Sequence, residues 1–266
     1  MGACVDVRRD GAVATVVMHR EKNNAIAEDL LTELREAFAT LGSDPEVRAI
    51  VLASGFDRYF SVGADLGAMA GIDRTAADAE EQILAMVRRD REGYQAIASC
   101  PKPVVAALNG HTLGGGCELA LCCDYRIMVE DERSRIGQPE VGLGIIPGAG
   151  GTQRLLRLVG RARALPMLLE GARLSAREAV AVGLVDRAVA PEELDGAVRE
   201  LAGRLAAGPT VALAMIKDAV DRGQDLPLDE ALEIEGRNFV RAALSDDAAI
   251  GVMSFLAKQT PQFTGR

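Results

Sequence analysis

Five residues after the apolar run Val104-Val105-Ala106-Ala107-Leu108 comes the stretch Leu113-Gly114-Gly115-Gly116-Cys117-Glu118-Leu119-Ala120. The apolar run reads as a buried strand, and Leu119-Ala120-Leu121-Cys122 as the opening turns of a buried helix. Few arrangements satisfy a strand, three glycines and a helix carrying a carboxylate in so short a space. Glycines there let the backbone turn sharply and let a ligand approach the main chain. A helix start offers free N–H groups and the positive end of its dipole, which suits developing negative charge. Glu118 falls in or near that first turn, aimed at whatever the glycines hold. Tight packing of the helix on a sheet, with Glu118 as a helix-start carboxylate, explains the same stretch without a ligand.

Composition narrows the classes. The 266 residues allow one large domain or one domain with an appendage, and 48% hydrophobic content supports a sizeable core. Trp is absent and aromatics make up 3%, so the core is built from aliphatic side chains and a stacking surface for nucleic acid is not available. A formal charge of −9 argues against sequence-independent binding to nucleic acid. Cys4, Cys100, Cys117, Cys122 and Cys123 form no CxxC pair and read as reduced buried thiols, which predicts a cytoplasmic protein. With only His19 and His111, neither a zinc site nor a Ser-His-Asp triad is expected, and His111 reads as structural. No secretory leader is read at the start, and no run approaches the ~18 apolar residues of a membrane span.

The rest of the chain divides into two parts. Val5-Asp6-Val7 and Ala12 to Met18 predict two strands joined at the Asp10-Gly11 turn. Apolar residues at Leu30, Leu31, Leu34, Phe38 and Leu41 predict a helix over 28–41. Arg48 to Leu52 reads as a strand, 53–66 as a loop, 75–99 as a helix and Tyr125 to Val129 as another strand. The stretch from Gly137 to Thr152 is too long for a mere connector, and such loops are often functional. Ser175-Ala176-Arg177-Glu178 has a capping-box pattern, and Val185 to Val189 reads as a last strand. Beyond Pro191 only helical signals remain. The expectation is an α/β body over residues 1–200 and an all-helical region over 201–266 that buries its apolar stripe on the body or on another subunit.

Three stretches then look related: Gly63-Ala64-Asp65-Leu66, Gly114 to Glu118, and Gly137 to Glu140. Each is read as following a strand, and each could sit at the same edge of a sheet. Two glutamates converging on one pocket offer paired acid–base work, and main-chain N–H groups of small residues can form an oxyanion hole.

Taken in order, these residues resemble the enoyl-CoA hydratase/isomerase (crotonase) superfamily. The resemblance rests on Asn24-Ala25-Ile26, Ser61 to Leu66, Lys102 to Gly110, Leu113 to Ala120, Gly137-Gln138-Pro139-Glu140 and Ile146 to Leu155, and so spans nearly the whole chain. It implies an α/β fold, a crotonase-like spiral of β-β-α turns, with a C-terminal all-helical trimerisation region. It also implies an acyl-CoA thioester substrate, no separate cofactor and no metal, and assembly as a homotrimer or a dimer of trimers, with no nucleic-acid or membrane partner. By the same resemblance the N–H groups of Ala64 and Gly115 hold the thioester oxygen. Glu118 then activates a water, and Glu140 delivers the proton to C2. Gly63, Asp65, Leu66 and Gly67 would line the path of the CoA arm, and Lys22 would stand near its phosphates. Asp65 has a competing role as a turn-forming carboxylate, and Lys22 as a solvated loop lysine. One departure stands out: where the family often carries an Arg-Pro pair, this chain reads His19-Arg20-Glu21-Lys22. The Glu118/Glu140 pair looks like that of a hydratase. Double-bond migration on the same scaffold, or a non-catalytic binding protein, are the alternatives.

Overall fold

The computed structural model describes residues 3–21 and 23–266, less the side chains of Ala68 and Met69. Two sheets organise it. The larger has six strands: β1 (Val5–Asp10), β2 (Val13–Met18), β3 (Ala49–Ser54), β5 (Val104–Leu108), β7 (Tyr125–Val129) and β10 (Arg187–Val189), in that spatial order. β1 and β2 form the antiparallel hairpin that Asp10-Gly11 predicts, and every later pairing is parallel. Parallel strands need covering on both faces. Val51, Val105, Ala107 and Ile127 face α8 (Leu194–Ala206) through Leu194, Ala197, Val198 and Ala202. Ile50, Leu52, Val104, Ala106 and Met128 face the main core. That core holds α1 (Glu28–Ser43), whose Leu30, Leu31, Leu34, Phe38 and Leu41 are all buried as their spacing predicts.

The second sheet was not visible in the sequence pattern. It is made of β4 (Tyr59–Ser61), β6 (His111–Leu113), β8 (Ile136–Gly137) and β9 (Arg173–Leu174), in that order. The first three run parallel to one another and β9 runs antiparallel. Two- and three-residue strands carry no readable alternation, which is why 53–66 reads as loop. Their N–H and C=O groups nevertheless pair: Thr112 N donates to Arg135 O at 2.9 Å and Gly114 N to Gly137 O at 2.9 Å. Gly116 is confined by this sheet, since a Cβ there would lie 2.6 Å from the Ser61 carbonyl oxygen. Only glycine admits that approach.

Asn24 ties the two sheets together. It is fully buried, and its φ of 53° is tolerated better by Asn than by most residues. Its Nδ2 donates to Met18 O of β2 (3.2 Å), Ser54 Oγ of β3 (2.9 Å) and Phe60 O of β4 (3.0 Å). Its Oδ1 accepts from Arg20 N at 2.9 Å. Ser61 Oγ, with no catalytic partner, donates to Asn24 O at 2.7 Å. Two residues on, Ile26 N donates to Gly63 O and Asp65 N to Ile26 O, both at 2.8 Å, which sets Ala64 in a parallel bridge.

Helices complete the molecule. They are α2 (Leu66–Ala70), α3 (Ala79–Ala98), α4 (Gly115–Leu121), α5 (Gly151–Val159), α6 (Arg161–Glu170), α7 (Ala176–Val182), α9 (Thr210–Gly223), α10 (Leu228–Ala243) and α11 (Asp246–Leu256). The capping box predicted at Ser175 is formed with Glu178, and Gly183 closes α7 in the left-handed region. Helix α8 runs across residue 200 and packs on the six-stranded sheet. Arg48, the residue before β3, reaches the helical region by donating to Gly208 O at 3.0 Å and Thr210 Oγ1 at 3.0 Å.

Because Asn24 is satisfied by buried partners from both sheets, its loss leaves polar groups stranded. Asn24→Ala is expected to lower the unfolding free energy by about 2–4 kcal/mol, read as a lower denaturant midpoint. A midpoint equal to that of the wild type would show that the link between the sheets lies elsewhere.

Candidate active site

The three stretches singled out in the sequence leave the same edge of the small sheet. Gly63 to Asp65 follow β4, Gly114 to Glu118 follow β6, and Gln138 to Glu140 follow β8. These strands are parallel neighbours, so their ends open together into a cleft of about 1770 Å³ whose walls include Ala64, Gly115, Glu118 and Glu140.

Glu118 lies in the first turn of α4, a helix whose seven residues are all buried, and is itself 3% exposed. Its Oε1 accepts from Ala149 N and from Gly151 N, each at 2.7 Å. Gly151 is the first residue of α5, so Glu118 also satisfies a free N–H at that helix start. One carboxylate oxygen is thereby fixed, leaving the other for chemistry. Burial pushes the carboxyl above its ordinary value, while the two N–H groups and the charges of Arg154 and Arg91 pull it back toward the anion.

Glu140 opens a short 3₁₀ turn, Glu140–Leu143, after Pro139 and is 9% exposed. With the Gln138 amide turned so that its nitrogen faces the carboxyl, that nitrogen donates to Glu140 Oε1 at 3.0 Å and to Gly114 O at 3.3 Å. Burial pushes Glu140 up to about 7, its own backbone N–H opposes the rise, and the nearby Glu118 charge adds to it. The two carboxyls therefore differ. Glu118 has main-chain donors and cations that favour the ion, and Glu140 has a neighbouring anion that favours the acid.

Beside them stand two main-chain donors. Neither the Ala64 N–H nor the Gly115 N–H has a hydrogen-bond acceptor among the described residues. They are close: a Cβ built on Gly115 would lie 3.5 Å from Ala64 N, and one on Gly63 3.4 Å from Gly115 N. Such a pair can take the oxygen of a polarised carbonyl.

Asp65 takes its turn-forming role: Oδ1 accepts from Gly67 N at 3.0 Å and Oδ2 from Arg20 Nη2 at 3.3 Å, at the start of α2. Leu66 is 46% exposed on that helix. Lys22 lies outside the described residues. Arg20, where the family pattern departs, is committed to Asp29 (2.7 Å) as well as to Asp65. His111 packs against Tyr59 with ring centroids 5.8 Å apart, and burial lowers its pKa. The sequence reading missed the donors at Ala149 and Gly151. A glycine-rich turn opening a helix signals an anion site, but nothing in the order of residues links it to a carboxylate 31 positions earlier.

Comparison with known proteins gives one consistent result. The chain is 36% identical to a crotonyl-CoA hydratase of Syntrophomonas wolfei over 98% of its length and 97% of the relative's. It is 36% identical to a short-chain-enoyl-CoA hydratase of Clostridium acetobutylicum, covering 96% of this chain and 95% of that one. The crystal structure of an enoyl-CoA hydratase from Geobacillus kaustophilus superposes with a TM-score of 0.93 at 34% identity, covering 100% of this chain and 98% of that one. Residues 8–266 match the family model described as enoyl-CoA hydratase/isomerase, and with the crotonase-type spiral in place the chain belongs to that family.

Proposed function

We propose that the protein catalyses the reversible syn hydration of a trans-2-enoyl-CoA to a 3-hydroxyacyl-CoA. The observation that carries this reading is a pair of buried carboxyls of unequal environment, Glu118 and Glu140, in one cleft with the uncommitted N–H groups of Ala64 and Gly115. The names of its relatives, crotonyl-CoA hydratase and short-chain-enoyl-CoA hydratase, point to the same reaction.

In this reading the thioester oxygen accepts from Ala64 N–H and Gly115 N–H. A water between the carboxyls gives a proton to the free oxygen of Glu118 as its own oxygen bonds to C3. The C2–C3 π electrons move onto the thioester oxygen, forming an enolate. That charge exists only as the reaction proceeds, so donors aimed at it speed the chemical step. The enolate then collapses and C2 takes the proton of Glu140. Glu118 ends protonated and Glu140 ionised, and a proton returned through the next water resets the pair. Coenzyme A enters as part of the substrate, and the two carboxyls supply both proton transfers. Gly63, Leu66 and Gly67 border the entry beside the oxyanion donors. Five buried, free thiols suit a reducing compartment, and we assign the protein to the cytoplasm.

We further infer a homotrimer, or two trimers stacked, assembled through the region 201–266. Ile216, Val220, Phe239, Phe255 and Leu256 on α9–α11, and Leu244 between α10 and α11, are each at least 60% exposed. Scattered apolar residues need no explanation, but so many on consecutive helices mark a covered surface.

Loss of the conjugated absorbance of crotonyl-CoA tests the reaction. Glu118→Gln and Glu140→Gln should each slow it by a factor on the order of 10²–10⁴. No loss of absorbance, with turnover of a 3-enoyl-CoA instead, would make the protein an isomerase. Since Glu140 must be protonated to serve as the acid and its pKa is about 7, kcat/KM should be retained below that pH and fall as pH rises through it. A flat profile from pH 6 to 8 would remove Glu140 from the acid role. Light scattering should return three or six times the chain mass, and Phe255→Asp should yield smaller species.

A further inference from the structure

Tyr94 is a buried phenol that the mechanism above does not use. It sits near the C-terminal end of α3, 3% exposed, and belongs to the wall of the same cleft as Glu118 and Glu140. Its hydroxyl stands 2.8 Å from the point where a Cβ of Gly115 would be, and Ala64 N lies 3.5 Å from that same point. The phenol and both main-chain donors therefore surround one small volume. Tyr94 lines the cleft, and its hydroxyl makes no hydrogen bond to a described residue.

Its placement is built in by packing. The preceding residue, Gly93, is pressed onto α1: a Cβ there would lie 2.9 Å from Leu31 Cβ and 3.0 Å from Leu31 O. The absence of that atom lets α3 sit close on α1 and carries Tyr94 inward to Gly115. Ile26, whose Cδ1 lies 3.2 Å from the same point beside Gly115, closes the other side. A phenol held this way loses little freedom when it makes a bond, because ring and helix are already ordered.

On the reading of this cleft as a thioester site, we propose that the Tyr94 hydroxyl is a third hydrogen-bond donor to the thioester oxygen, acting with the N–H groups of Ala64 and Gly115. Burial and the nearby charges of Glu118 and Glu140 hold the phenol well above its ordinary pKa, so it keeps its proton across the working range and offers a donor throughout. No proton is transferred in this role. The O–H shortens its bond as charge moves onto the oxygen and relaxes when the enolate collapses.

Tyr94→Phe keeps the ring and its packing and removes only the donor. The expected result is a fall in kcat of roughly 100-fold, at the lower end of what one oxyanion donor contributes, with KM little changed. A second measurement reads the carbonyl directly. Bound cinnamoyl-CoA should show a red-shifted absorbance in the wild type, and the shift should shrink in Tyr94→Phe. An unchanged red shift overturns the proposal, whatever happens to kcat. So does a displaced alkaline limb of the pH profile with an unchanged red shift, which would give the hydroxyl to Glu140 instead. The hydratase reading fails separately, if wild-type protein leaves crotonyl-CoA untouched and Glu118→Gln behaves as wild type.

Discussion

Three strands of two or three residues, β4, β6 and β8, hold the whole site in register. Parallel pairing sends their C-terminal ends in one direction, so the residues that follow each strand must share an edge. Strands so short have few ladder bonds of their own. The sheet is stable because its surroundings leave it no alternative: Gly116 has no room for a side chain against Ser61, and Asn24 binds β2, β3 and β4 at once. The bridge between Ile26 and Ala64 fixes the backbone just beyond β4. Function is in this sense downstream of backbone hydrogen bonding.

Inside that frame, two chemically identical side chains are made different by their neighbours. Both carboxyls are buried, and burial alone would push both toward the neutral acid. Glu118 is held back by two main-chain donors at 2.7 Å and by distant arginines. Glu140 has no such pair of donors and feels the charge of Glu118. That asymmetry puts two unlike carboxyls in a single cleft, the arrangement the proposed hydration needs.

Much of this was readable from the order of residues. Helical spacing placed α1 and its buried face, the Asp10-Gly11 turn placed the first hairpin, and Ser175 with Glu178 placed a capped helix start. The motifs around Gly114 to Glu118 and Gly137 to Glu140 identified the family. The small sheet escaped because period-two alternation needs more than three residues to show itself. The hydrogen bonds of Asp65 to Gly67 N and Arg20 are the local ones that a turn-forming carboxylate makes.

Local order along the chain thus dictated which residue types would be present and which helices and long strands would form, because those depend on neighbours a few positions away. Distances across the chain settled the rest. Ala149 and Gly151 bind a carboxylate 31 and 33 positions earlier, and Tyr94 meets Gly115 only because Gly93 lets one helix press against another. Such contacts have no signature in sequence spacing. They arise when long-range packing of the two sheets and their helices brings remote backbone atoms within hydrogen-bonding reach.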